Sequence, residues 1–143
     1  MSELTIREME NGEEFADWFA DLTLQEERAT GAPTHLEDHY LILSNAIGDW
    51  VGGLRYTTRG GVATVVDVAV RQDERGQGHG HRLLSAFEEH ARDLGAHVAE
   101  FWSDDPAGEP ELILHGWHRV LRREGYFGGG TWYLMEKVLT TTV

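Results

Sequence analysis

The chain has 143 residues, enough for one domain that would bury about 68% of the surface its unfolded form exposes. It contains no cysteine, which excludes disulfides, thiolate metal sites and a cysteine nucleophile. A formal charge of -13, from 25 acids against 12 bases, repels nucleic acid and argues against a general nucleic-acid binder. Eleven of the bases are arginine, and Lys137 is the only lysine. The first residues, MSELTIREMENGEE, lack the basic and apolar regions of a signal peptide, and no apolar run approaches the ~20 residues of a membrane helix. The expectation is a cytoplasmic protein with no membrane or nucleic-acid partner.

Leu4-Thr5-Ile6 reads as a short opening strand. Asn11 precedes Glu14 by three residues, as in a capping box, and Phe15, Trp18, Phe19 and Leu22 follow at helical spacing, so a helix is expected to about Arg28. Gly31-Ala32-Pro33 breaks it. Residues 34–39 read as polar loop, where His35 and His39 are most simply solvated. Strands are expected at 40–43, 50–58 and 62–70, joined by turns at Gly48-Asp49 and Gly60-Gly61 into an antiparallel meander. Gly52-Gly53 inside a strand marks a bulge or a close backbone approach.

The stretch from Thr64 to Gly80, TVVDVAVRQDERGQGHG, runs from strand through a glycine loop into a helix. Glycines at 76, 78 and 80 let backbone approach a ligand, and the helix start offers unpaired N–H groups, so an anion such as a pyrophosphate would suit it. Arg71, Arg75 and Arg82 surround it. Leu83, Leu84, Phe87, Ala91 and Leu94 carry the helix, Gly95 ends it, and the strand 98–102 should lie parallel to 62–70 as a βαβ unit. Residues 103–111 form a loop with four acids. Pro110 then opens an expected helix with Ile113, Trp117, Val120 and Leu121 on one face, ending at Gly125. A last strand spans 131–139, and the tail TTTV frays. The fold class is mixed α/β, a mostly antiparallel central sheet with a βαβ core, in a single domain over 1–143.

The loop is neither a dinucleotide fingerprint, because its glycines fall as Gly76-x-Gly78-x-Gly80 after three antiparallel strands, nor a Walker loop, because no Gly-Lys-Ser/Thr is present. Arg75-Gly76-Gln77-Gly78-His79-Gly80, preceded by Val68-Ala69-Val70 and followed by His81-Arg82-Leu83-Leu84, resembles the signature of the GCN5-related N-acetyltransferase superfamily. The resemblance extends over nearly the whole chain, to Gly125-Tyr126 and Leu134-Met135-Glu136-Lys137. It implies acetyl-coenzyme A as cosubstrate and no metal. Val68, Ala69 and Val70 would pair by backbone with the pantetheine arm, and the N–H groups of Arg75, Gly76, Gln77, Gly78, His79 and Gly80 would hold the pyrophosphate.

The implied reaction moves an acyl group directly from a thioester to an amine. An ammonium must first lose a proton, the oxyanion needs a donor, for which the backbone N–H near Val68 is the family's usual choice, and the thiolate needs an acid. Asp67 and Glu100 are the candidate bases, and in polyamine-type relatives an acid occupies the position matching Asp67. Many relatives carry the acid as a tyrosine four residues before the Gly of a Gly-Phe pair. That position reads here as Leu121, which cannot donate; His118, three residues earlier on the expected helix, is the preferred substitute, with Tyr126 and Tyr133 as others. His115 and His118 make a poor metal pair, and Trp102 and Trp117 are more readily core or cleft wall than a platform for a cation. The acceptor is expected to be a small-molecule amine or a protein amine, drawn by the acidic loop if it faces the cleft. The alternative is a non-catalytic acyl-coenzyme A-binding or interaction module. The strand 131–139, expected to be exposed, could pair in a homodimer.

Overall fold

The computed structural model describes residues 4–9 and 13–139; the Asn11 cap and the tail 140–143 lie outside the described residues. The backbone falls into two compact units, one ending at Leu36 and the other beginning at Glu37.

In the first unit the strand expected at Leu4-Thr5-Ile6 does not form: residues 4–9 are irregular and both apolar side chains are exposed. So short a segment becomes a strand only when a neighbour pairs with it, and none does among the described residues. Helix α1 (Glu13–Thr30) carries the expected apolar stripe, with Phe15 against Trp18 and Phe19 at ring-centroid distances of 5.5 and 5.9 Å. Gly31, at φ +74°, ends it in the left-handed region that glycine adopts without penalty, donating its N–H to Glu27 O at 2.8 Å. The Thr34 hydroxyl then donates to the Thr23 carbonyl at 2.9 Å, folding the segment back along the helix.

The second unit is a six-stranded sheet with helices inserted between its strands. The strands are β1 (Glu37–Ser44), β2 (Trp50–Arg59), β3 (Val62–Val70), β4 (Val98–Ser103), β5 (His118–Arg123) and β6 (Trp132–Val138), in the order β1-β2-β3-β4-β6-β5. Helix α2 (His79–Asp93) joins β3 to β4, and the short α3 (Glu109–Leu114) precedes β5. The meander β1-β2-β3 is antiparallel, and β4 lies parallel to β3, as the βαβ reading requires. β1 begins earlier than expected, taking in His39, whose ring stacks on Tyr56 at 4.7 Å. At Gly52 a Cβ would stand 2.9 Å from the Ala69 carbonyl oxygen, so the glycine pair marks a close backbone approach.

One expected element is overturned. The helix read from Pro110 to Gly125 stops at Leu114, Gly116 turns the chain at φ +91°, and His118–Arg123 pairs antiparallel with β6. Ile113, Trp117, Val120 and Leu121 fit a helical period, but sheet pairing and burial override so short a pattern. Trp117 is instead a core residue, 2% exposed and edge-on to Phe101 at 4.9 Å. A second expectation falls with it: β6 is enclosed by β4 and β5, so the segment 131–139 is not a sheet edge, and the edges among the described residues are β1 and β5.

Leu83, Phe87 and Ala91 of α2 pack into one cluster with Leu54, Tyr56, Ala99, Trp117 and Met135. Each large side chain so buried contributes roughly 2 kcal/mol. Beside the cluster, Lys137 Nζ meets Glu88 Oε1 at 2.6 Å, a largely buried ion pair between β6 and α2.

Candidate active site

The parallel pairing of β3 with β4 covers only Val62↔Val98, Ala63↔Ala99 and Thr64↔Glu100. β4 stays on β6 through Ser103, and β3 stays on β2 through Val70. The two strands therefore diverge after Thr64, and the β4-facing backbone edge of residues 65–70 has no strand partner among the described residues. Val66 to Ala69 are exposed, so these groups are open to water or to a ligand that can pair with them. A bulge at this point, where Arg55 opposes Asp67 but Tyr56 opposes Val65, leaves Val66 as the extra residue and bends β3.

Beyond β3 the chain makes a short turn at Gln72–Glu74 in which Arg71 is tied to Asp73 at 2.6 Å. That hydrogen bond and charge hold the Arg71 guanidinium above its ordinary pKa. Arg75 is extended, its Nε donating to Val70 O at 3.3 Å. Gly76 and Gly78 take φ +81° and +78°, and α2 starts at His79 with no side chain capping it. The helix's own ladder begins with Arg82 N–H on Gly78 O. The N–H groups of His79, Gly80 and His81 thus have no acceptor among the described residues. A Cβ at Gly76, Gly78 or Gly80 would meet nothing within 4 Å, so the loop presents bare backbone to open space. This is a cradle for an anion at a helix start. The His79 ring turns inward, its Nε2 3.4 Å from Glu74 Oε2 and its Nδ1 buried without a partner.

Two clefts flank the splay and share Val65, Val68 and Phe101. The narrower, about 290 Å³, runs under the start of α2 and is closed by Gly80, His81, Ser103 and Leu112. The wider, about 460 Å³, lies on the other side, between Asp67, Trp102, Asp104, Phe127 and Trp132.

Asp67 stands on β3 in the wall of the wider cleft and is exposed. Its cross-strand neighbour Arg55 is committed to Asp38 at 2.9 Å, whose hydrogen bond and charge hold that guanidinium above its ordinary pKa. Asp67 has no hydrogen-bond or ion-pair partner among the described residues. Glu100 sits at the closed end of the splay, accepting from the Thr64 hydroxyl at 3.0 Å, and lines neither cleft. His118 opens β5, with Nε2 3.8 Å from Glu136 Oε1, and also lines neither cleft. Because 118–121 is strand, the helical spacing that linked His118 to Leu121 does not exist. The helix that ends in a glycine and an aromatic is α3, followed by Gly116-Trp117. Four residues before Gly116 is Leu112, in the wall of the narrower cleft and again aliphatic. Among the described residues no group of three metal-ligating side chains occurs.

The acidic loop resolves residue by residue. Asp105 caps a turn by accepting from Ala107 N–H at 3.1 Å, Glu109 holds Arg119 at 2.6 Å, and Glu111 lies 3.5 Å from His81. Only Asp104 is left to face the wider cleft. Sequence reasoning overlooked Phe127 and Trp132. Their signal was a triglycine between aromatics, Tyr126-Phe127-Gly128-Gly129-Gly130 ahead of Trp132, which shapes the turn between β5 and β6.

The model of the Acetyltransferase (GNAT) family matches residues 4–115, and the chain belongs to that family. A search of curated protein sequences returned no match. Among solved structures, the chain is similar to a candidate acetyltransferase from Agrobacterium tumefaciens, at 21% identity and TM-score 0.69, covering 96% of this chain and 99% of that one. It is also similar to an acetyltransferase from Bacillus cereus, at 22% identity and TM-score 0.65, over 93% and 98% of the two chains. The ribosomal-protein-S18-alanine N-acetyltransferase from Escherichia coli matches at 16% identity and TM-score 0.64, over 97% and 96%.

Proposed function

We propose that the protein is an acetyl-coenzyme A-dependent N-acetyltransferase acting on a small cationic amine. The observation that carries this is the combination of an unpaired β3 edge with a bare glycine loop at the start of α2, leading into one cleft with a second opening beside it. Backbone of Val68, Ala69 and Val70 would pair with the extended arm of the cosubstrate. The N–H groups of Arg75 to Gly80 would hold its pyrophosphate. Short-range donors of this kind favour an anion even where the protein's overall field opposes one.

The cosubstrate supplies a thioester whose acyl carbon forms a bond to the amine nitrogen as its bond to sulfur breaks. Asp67, beside the splay and with no ion-pair or hydrogen-bond partner among the described residues, would take the proton that an ammonium must lose before it can attack. The proton needed by the departing thiolate has no tyrosine source at Leu112; His81 and Ser103 are the protic side chains lining that cleft. The absence of that tyrosine also favours a second reading, a module that binds acyl-coenzyme A without turning it over.

Calorimetric titration with acetyl-coenzyme A tests the loop. Gly78→Glu, which puts a carboxylate in the cradle, should abolish binding while leaving the fold's circular dichroism unchanged; undiminished affinity would overturn the assignment. Thiol release in the presence of a panel of amines then separates enzyme from binding module.

A further inference from the structure

We infer that the wider cleft is an aromatic cage for a diamine, a primary amine joined through a short alkyl chain to a second cationic nitrogen. The inference rests on the acetyltransferase reading above and adds the acceptor's class.

Its wall on the β4 side of the splay is aromatic, and its β3 side carries Asp67 between valines. Phe101 and Trp102 come from β4, Phe127 from the turn after β5 and Trp132 from the start of β6. The rings of Phe127 and Trp132 meet at 88° with centroids 5.2 Å apart, forming a corner. That corner is fixed: Trp132 Nε1 donates to Phe127 O at 2.9 Å, and Gly128 and Gly129, at φ +62° and +78°, allow the tight return. Tyr126 braces it from behind, 4.1 Å from Phe127 and 4.9 Å from Trp102, and Arg123 lies over Tyr126 at 4.1 Å. An aromatic corner already held in place loses little ordering entropy when a ligand enters.

Among the described residues, the charged side chains lining the cleft are two carboxylates, Asp67 and Asp104; Arg55, opposite Asp67 on β2, feels its charge but is bonded to Asp38. Neither has an ion pair or hydrogen bond among the described residues, whereas Asp105, Glu109 and Glu111 nearby are all engaged. Ring faces and a free carboxylate together attract an organic cation. The two carboxylates stand on diverging elements, Asp67 on β3 and Asp104 just past the end of β4, so they define two separate poles. A monoamine would satisfy one pole and lose its charge on acylation. A diamine satisfies both: the nitrogen at Asp67 gives up its proton and is acylated, while the second cation stays held by Asp104 and the rings throughout.

The test is calorimetric titration of the full chain with 1,4-diaminobutane and with 1-aminobutane, in parallel with acetyl-coenzyme A. The diamine should bind at least about tenfold more tightly than the monoamine. Asp104→Asn, an exposed change, should reduce the diamine to the monoamine's affinity, and Phe127→Ala should weaken both amines; neither should alter acetyl-coenzyme A affinity. Equal affinities in the unmodified protein, or a diamine preference that survives Asp104→Asn, would overturn the cage. If the preference is present but acetyl-coenzyme A does not bind, the cage stands and the acetyltransferase reading fails. If acetyl-coenzyme A binds and the preference is absent, only the cage fails.

Discussion

The Thr64 hydroxyl donates to the Glu100 carboxylate at 3.0 Å, and the same two residues form the last backbone pair between β3 and β4. The bond therefore sits at the apex from which the strands diverge, and Glu100 acts as a clasp. Thr64→Val and Glu100→Gln should each lower unfolding stability by about 1 kcal/mol while leaving turnover within a few-fold. Urea denaturation alongside thiol release checks this. A large loss of turnover in Glu100→Gln with stability unchanged would make Glu100 the base in place of Asp67.

Asp67→Asn should lower kcat by roughly 10²- to 10⁴-fold, the usual contribution of a positioned base. Its affinity for acetyl-coenzyme A should not change, because the residue lines the other cleft. Full activity in this variant would remove Asp67 from the mechanism.

Gly78→Ala separates backbone strain from ligand contact. At φ +78° the added methyl should cost about 1 kcal/mol of stability, yet it meets no protein atom within 4 Å. A fall in acetyl-coenzyme A affinity well beyond that strain would show that the ligand occupies the space above the loop. Thermal melts and calorimetry on one preparation give both numbers.

Tyr56 is 2% exposed, and burial raises its hydroxyl above the ordinary value of 10.0. In the unfolded chain the phenol ionises first, so above about pH 10 the native state binds more protons and stability falls as pH rises. Below that pH the contribution is fully present. Tyr56→Phe should flatten the alkaline decline in denaturant-unfolding curves; an identical slope in both proteins would count against it.

Lys137→Met leaves the Glu88 carboxylate buried without its counter-charge and should destabilise by about 3 kcal/mol. Adding Glu88→Leu should restore most of that loss, because the remaining cost is an unpaired charge. Failure of the double variant to recover, read by chemical denaturation, would mean packing rather than charge dominates.

The meander, the βαβ crossover and the glycine loop were legible because each has a local cause: Gly60-Gly61 for a tight hairpin, Gly76 and Gly78 for positive φ, and the Leu83, Phe87, Ala91 stripe for α2. What failed depended on distant partners. His118–Arg123 is a strand because β6 lies beside it, and nothing within six residues rich in arginine announces that. Leu4-Thr5-Ile6 has strand-like residues but no strand to pair with among the described residues. That Val68 to Val70 would pair with something other than β4 was expected only through a family resemblance, since no pattern in Thr64 to Val70 says where pairing with β4 stops. The turn that carries Phe127 and Trp132 has local causes, positive φ at Gly128 and Gly129 and the Trp132 Nε1 bond to Phe127 O, but its place beside the wider cleft depends on β6 pairing with β4.

The Lys137–Glu88 pair also bears on the protein's chemical exposure. Thioesters acylate free lysine amines without any catalyst, whereas guanidinium groups, with their very high pKa, are not nucleophilic at neutral pH. With Lys137 the only lysine, and its ammonium paired with Glu88 of α2, the surface offers cations made almost entirely of arginine. In the proposed role the protein would live beside a reactive acyl donor while presenting a single, ion-paired lysine for it to modify. Prolonged exposure to its own cosubstrate should mark its side chains far less than those of a lysine-rich protein, as intact-mass measurement would show.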